Sequence, residues 1–229
     1  SAGGNMLTQK WFGTGQATGP LLKPNLFTIT NASALGASEY GATKKLNSLY
    51  GFANLGFKNY LFLDVTARND WSSTLPPDAW SYFYPSVGLT WVISDMLKSS
   101  MPDWVTFAKV RASYAQVGND TDPYQLNPEF TFSQGGANGY ASRGGTLPAT
   151  DLKPEITTSQ ELGADIRFFQ NRLGVDFTYY KSNSKNQLLS VSIPVASGYS
   201  NKFINAGNIQ NTGIELTVNV TPVKVNDFT

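Results

Sequence analysis

Along most of this chain apolar and polar side chains alternate one for one. In YLFLDVTARNDWSST (60–74) one set of alternate positions reads Leu61, Leu63, Val65, Ala67, and the other reads Tyr60, Phe62, Asp64, Thr66, Arg68, Asp70. Successive side chains of a strand point to opposite faces, so this spacing predicts a β-strand with one apolar and one charged face. The same alternation predicts strands at 49–57, 82–94, 106–117, 160–169, 172–181 and 212–221. Ala108, Val110 and Ala112 oppose Lys109 and Arg111, and Leu162, Ala164 and Ile166 oppose Glu161, Asp165 and Arg167. Further on, Val175 and Phe177 oppose Asp176, and Ile214 and Leu216 oppose Glu215. Within these spans the apolar faces read as free of charge. Each strand has about the length a tilted membrane-crossing strand needs, roughly 9–11 residues.

The connections alternate between short and long. Lys58-Asn59, a compact DMLKSSMPDW and QNR are tight; 72–81, 118–158 and 191–211 are long, and 118–158 is rich in Gly, Asn and Pro. In an up-and-down sheet this gathers the long loops at one end, as in outer-membrane barrels with short periplasmic turns and long extracellular loops. A soluble β-sandwich also alternates, but nothing in it segregates loops by length. Aromatic residues mark both strand ends: Phe57, Tyr60, Trp91 and Trp104 at the tight turns, Trp71, Trp80, Phe83 and Tyr84 at the other. Two such belts are what membrane interfaces favour. Residues 1–45 read as a loop-rich segment in which 25–33 offers one more strand; 46–222 read as transmembrane strands, and 223–229 as the start of a periplasmic turn. The expected fold is all-β, a transmembrane antiparallel β-barrel present only in part, as about 7–8 strands.

Composition supports a wall facing something other than bulk water. Only 14% of the 229 residues are charged, below the roughly 25% of soluble domains, and 13% are aromatic. With 17 basic and 16 acidic residues there is no call for nucleic acid as a partner. The absence of Cys and His excludes disulfides, thiolate chemistry and His-based triads or zinc sites within these residues. No run of 18 apolar residues offers a membrane helix.

Five blocks closely resemble the barrel of SusC/RagA-type TonB-linked outer-membrane transporters: LDVTARNDWSSTLP, YFYPSVGLTWVISD, KVRASYAQVGND, LKPEITTSQELGADIRFF and NAGNIQNTGIELTVNV. Arg68, Asp70, Ser72 and Ser73 match an Arg-x-Asp-x-Ser-Ser pattern, Ser113, Tyr114, Gly118 and Asn119 a Ser-Tyr-x-x-x-Gly-Asn pattern, and Asn205, Gly207, Gly213 and Glu215 an Asn-x-Gly…Gly-Ile-Glu pattern. The resemblance implies a barrel of about 22 strands plugged by an N-terminal domain. It further implies import of oligosaccharides or peptides across the outer membrane of a Gram-negative, Bacteroides-type bacterium. A SusD-like lipoprotein would serve as lid, and TonB–ExbB–ExbD would act on a plug region not present here. The chain is then an internal barrel segment. A complete eight-stranded barrel is the rival architecture; a passive porin or small structural barrel, and a soluble β-rich carbohydrate-binding module, are the rival functions.

Candidate lumen-facing contacts to substrate or plug are Asp64, Arg68, Asp70, Lys109, Arg111, Glu161, Asp165, Arg167, Asp176 and Glu215, by charge-assisted hydrogen bonds. For each, pairing with an opposite charge on a neighbouring strand is the simpler role. Trp80, Tyr140 and Arg143 are candidate extracellular loop contacts. Asp64 and Asp70 form no fixed glycosidase pair, because charge recurs on that face of every strand. Asp120 and Asp122 have calcium-loop spacing but lack the downstream Gly and Glu, so a polar loop is favoured. GTGQATG (13–19) carries no phosphate-binding fingerprint. Neither an enzyme nor a bound cofactor is expected; outer-membrane lipid is the expected surround.

Overall fold

The computed structural model describes residues 1–98, 100–133 and 137–222. The turn expected at 223–229 lies outside the described residues. Among the described residues thirteen strands succeed one another: β1 (Ala2–Thr18), β2 (Leu35–Phe57), β3 (Leu61–Ser72), β4 (Ser81–Val92), β5 (Val105–Asn119), β6 (Phe130–Ser133), β7 (Tyr140–Arg143), β8 (Thr146–Leu147), β9 (Glu155–Phe168), β10 (Leu173–Lys185), β11 (Leu188–Ser192), β12 (Asn201–Asn205) and β13 (Asn208–Val220). Eight form one antiparallel sheet in the order β1-β2-β3-β4-β5-β9-β10-β13. Among the described residues β1 and β13 do not pair, so the sheet is an open arc rather than a closed eight-stranded barrel.

The tight turns are chemically determined. Lys58 and Asn59 both have positive φ (48° and 59°), and Tyr60 N–H donates to the Phe57 carbonyl at 3.2 Å, the type I′ geometry whose twist suits a hairpin. The β9–β10 link closes the same way through left-handed Gln170 and Asn171. Register then carries each apolar set into line with its neighbour. Leu63 lies opposite Leu55 and Leu89, Ala112 opposite Leu89 and Leu162, and Tyr179 opposite Leu162 and Ile214. One face of the arc is therefore a continuous apolar band.

Several expectations are corrected. Residues 1–45 are not loop-rich: β1 pairs residue for residue with Leu35–Gly51, forming a long hairpin that runs beyond the apolar band. Neither face of this hairpin is uniformly apolar, which is why alternation did not reveal it. Two of its glycines are covered by tyrosines across the ladder, Gly3 by Tyr50 and Gly13 by Tyr40. At its tip 25–33 is not a strand; a single 3-10 turn (Ile29–Asn31) is held by buried Asn31, whose amide bonds Lys23 N, Lys23 O and Leu26 O at 2.8–2.9 Å. The apolar face is also not wholly free of charge, since Lys181 shares it with Tyr179, just above the band.

The long connections form an ordered layer. β4 leaves β5 above Ser86, and the stacked rings of Tyr82 and Tyr84 occupy the gap. Tyr82, Leu75, Ala149 and Leu152 form a dry core, joined by Leu126, Leu188 and Phe203, so loops 73–80, 120–154 and 186–207 bury apolar surface against one another. β8 pairs in parallel with β12, stitching the two longest loops together. Asn205 clamps them further: it accepts from Lys153 N and donates to the carbonyls of Lys153 and Asn186, all at 2.8 Å. Tyr84 thus belongs to the polar face and not to the aromatic belt. Trp71 and Phe83 face outward at the loop end, and Phe57, Trp91 and the stacked pair Trp104–Phe168 at the turn end.

Candidate functional site

The face opposite the apolar band carries the candidate charges. By register Asp64, Arg68, Asp70, Lys109, Arg111, Glu161, Asp165, Arg167, Asp176 and Glu215 all project from it. They fall into three ion-paired groups, Asp64 bonded to Asn54, and two carboxylates in no ion pair among the described residues.

At the loop end Arg68 forks onto Asp70, Nε to Oδ1 at 2.7 Å and Nη2 to Oδ2 at 3.2 Å. Tyr84 donates to the same carboxylate at 2.7 Å, and Arg68 also reaches Ser48. Asp70 is only 3% exposed, and these charge-assisted bonds compensate its desolvation. Next to it Ser72, 1% exposed, donates to Asp120, which pairs with Lys44 at 2.5 Å. Ser73 Oγ accepts from Lys45 N–H at 2.9 Å. The Arg-x-Asp-x-Ser-Ser residues therefore fasten β3 to β2 and to the loop after β5. Asp120 serves there as a structural anion. Gly118 is short of space: a Cβ there would sit 2.5 Å from the Tyr82 ring.

In the middle of the wall Arg111 reaches across β9 to Asp176 at 3.0 and 3.2 Å and to Thr178 at 2.6 Å. It crosses directly over Gly163, where a Cβ would lie 2.5 Å from Nε, so only glycine leaves room for the guanidinium. Nearer the tight turns Asp165 takes Lys109 at 3.7 Å and Arg167 at 3.3 Å, while Arg167 stacks on Phe107 with 5.0 Å to the ring centre. Asp64 accepts from Asn54. Glu161 and Glu215 are exposed and, among the described residues, in no ion pair.

Sequence reading missed the partners that make these groups work: Lys44, Ser48, Tyr84 and Thr178. It also missed Tyr50 and Phe52, which line a depression of about 500 Å³ on the polar face together with Asn54, Arg68 and Tyr84. Their signal was present as the alternate set to Leu49 and Ala53. Of the loop candidates, Trp80 is exposed, its backbone carbonyl accepting from Ser72 N–H. Tyr140 is exposed on β7, across from Ser133. Arg143 is committed within the loop layer: it donates to the Gly198 carbonyl at 2.6 Å and lies 4.0 Å from the centre of the Tyr199 ring.

A family model described as TonB dependent receptor-like, beta-barrel, matches residues 3–229. TonB-dependent receptor P26 of Formosa agariphila is 31% identical over 190 residues, 80% of this chain and 19% of that protein. TonB-dependent receptor SusC of Bacteroides thetaiotaomicron is 27% identical over 200 residues, 83% of this chain and 20% of its own length. The chain thus spans about a fifth of the curated relatives it matches. Among solved structures, the RagAB peptide importer in its closed-closed state superposes with a TM-score of 0.82 at 22% identity, covering 99% of this chain and 25% of that one.

Proposed function

Because the chain belongs to the TonB-dependent receptor-like β-barrel family of the outer membrane, we propose that it is a wall segment of an importer that draws oligosaccharides or peptides through a plugged barrel. The observation that carries this reading is the one-sidedness of the arc: ten candidate charges on one face, backed by an apolar band on the other. The apolar face meets lipid tails, and the charged face lines a watery interior. The protein works by binding and conformational change, without covalent chemistry. A SusD-like lipoprotein closes the extracellular side, and TonB–ExbB–ExbD acts through the plug.

The ion pairs divide the labour within the wall. Lys109–Asp165 ties the neighbouring strands β5 and β9, Arg111–Asp176 ties β5 to β10 across β9, and Arg68–Asp70 and Asp165–Arg167 each lie within one strand. Glu161 and Glu215 are the carboxylates left to meet substrate or plug, and Tyr180 lies between them, opposite both Glu161 and Gly213. The full-length protein in its native membrane tests the reading. Uptake of labelled oligosaccharides or peptides should stop when TonB is deleted, and a surface lipoprotein should co-purify. Uptake that continues without TonB establishes a passive pore instead.

A further inference from the structure

On the outward positions of β5, β9, β10 and β13, charge is distributed by sign as well as by position. Above the apolar band, β10 presents Lys181 and Lys185 on the outward side, with no acidic residue on the outward positions of β5, β9 or β13. Instead the flanking positions are amides and hydroxyls: Gln160 and Thr212 beside Lys181, and Thr158 and Gln210 one row further up. Neither lysine has an ion-pair partner among the described residues. The tight-turn end differs, for Lys58, Lys98 and Arg172 share it with Asp95 and Asp103.

Directly below this collar the apolar band is hollowed. Ala112 and Ala164 are small, and the larger side chains of β4 and β10 stand on either side as ridges. Two adjoining open depressions of about 400 and 380 Å³ result, sharing Leu89, Ala112 and Leu162. The valley runs from the row of Trp91 and Phe177 up to that of Val87 and Gln160, about 13 Å of strand. Its upper end is Tyr114, Gln160 and Tyr179, and Lys181 is the residue that follows Tyr179 on the same face.

A cleft for a tail under a cationic, hydrogen-bonding rim is complementary to one kind of molecule, an acylated anion. We propose that this valley and collar bind a phosphorylated glycolipid of the outer leaflet, one acyl chain lying over Ala112 and Ala164 and a phosphate at Lys181 and Lys185. The inference rests on the reading above, which puts the long loops and hence the collar at the outer leaflet, where phosphorylated glycolipids are the main lipid. A basic site at the membrane surface selects anionic headgroups, while the groove supplies apolar contact.

The test uses the full-length transporter extracted from outer membranes in mild detergent, with co-purifying glycolipid measured by mass spectrometry per mole of protein. K181Q and K185Q should each lower retention about fivefold, and A164F should lower it by filling the valley with both lysines in place. After delipidation, purified lipopolysaccharide should rebind, while its dephosphorylated form, phosphatidylethanolamine and inorganic phosphate should not compete. Unchanged retention in the folded variants overturns the site. So does equal binding of phosphatidylethanolamine, which marks an ordinary lipid-facing wall, or displacement by inorganic phosphate alone, which marks a free-anion site. An A164C crosslink between two transporters also overturns it, since another copy would then cover the valley. If the protein is absent from the outer membrane, the importer reading falls as well; if it is present there and the variants retain glycolipid, only this inference falls.

Discussion

Replacing Gly163 by alanine isolates the crossing of Arg111 over β9. The new methyl would lie 2.5 Å from Nε and 2.9 Å from Cγ and Cζ, so the guanidinium must leave. It then loses two bonds to Asp176 and one to Thr178. Hydrogen bonds to charged groups contribute roughly 1.5–3 kcal/mol when well shielded. Both ionic side chains are more than a third exposed, at 37% and 35%, so the loss is put at about 1–2 kcal/mol. Against it, alanine is favoured over glycine in a strand interior by about 0.5–1 kcal/mol. The sign therefore depends on the background: G163A should be mildly destabilising or neutral in the native chain, and stabilising once R111A has removed the guanidinium. Urea unfolding of the full-length barrel in lipid vesicles, run as a double-mutant cycle, measures the coupling, expected at about 1–2 kcal/mol. Strictly additive effects would refute the crossing as the reason for glycine at 163.

The remaining predictions probe the wall, the loop end and the loop layer. L63R puts a cation on the lipid face and should cost about 2–4 kcal/mol near the midplane, whereas T66R on the polar face should cost far less; equal costs would reverse the assignment of faces. D70N keeps an acceptor for Tyr84 but removes the charge facing Arg68, so loop 73–80 should become more protease-sensitive with the barrel still assembled, and an unchanged cleavage pattern would refute its fastening role. L152A deletes a side chain only 2% exposed and should cost the loop layer about 2–5 kcal/mol, read as faster hydrogen exchange in 120–154 and 186–207 together. Exchange confined to the first of these would show that they do not share a core.

What the sequence revealed was what lipid imposes. A strand with hydrocarbon on one side must keep that side apolar, so β3, β4, β5, β9, β10 and β13 announced themselves by alternation. Where the sheet passes beyond the band this constraint lapses. β1 carries Gly3, Gly4, Gly13 and Gly15 and mixes polar with apolar residues on both faces, so it was indistinguishable from a loop. It is held by the ladder to β2, with two of its glycines under tyrosines more than twenty residues away in the chain, which no local pattern displays. The charged face was legible as a set of positions, but the pairing was not. Arg111 passes over its immediate neighbour to reach Asp176, and Asp120 joins Lys44, which lies 76 residues away. Such contacts depend on register across several strands. The loop layer was hidden for the same reason: Asn205 acts on Lys153, and the β8–β12 pairing joins segments that read separately as long excursions.

The parallel stitch between β8 and β12 has a consequence for how such wall segments diversify. A connection that stands alone can be exchanged freely between relatives, but here the edge of β12 is completed by a strand from the other excursion. Grafting 120–154 or 186–207 singly from another transporter would leave a raw edge and a half-filled core, whereas moving both at once carries the seam with them. Inherited variation at this end of the barrel is therefore expected to travel as a matched cassette.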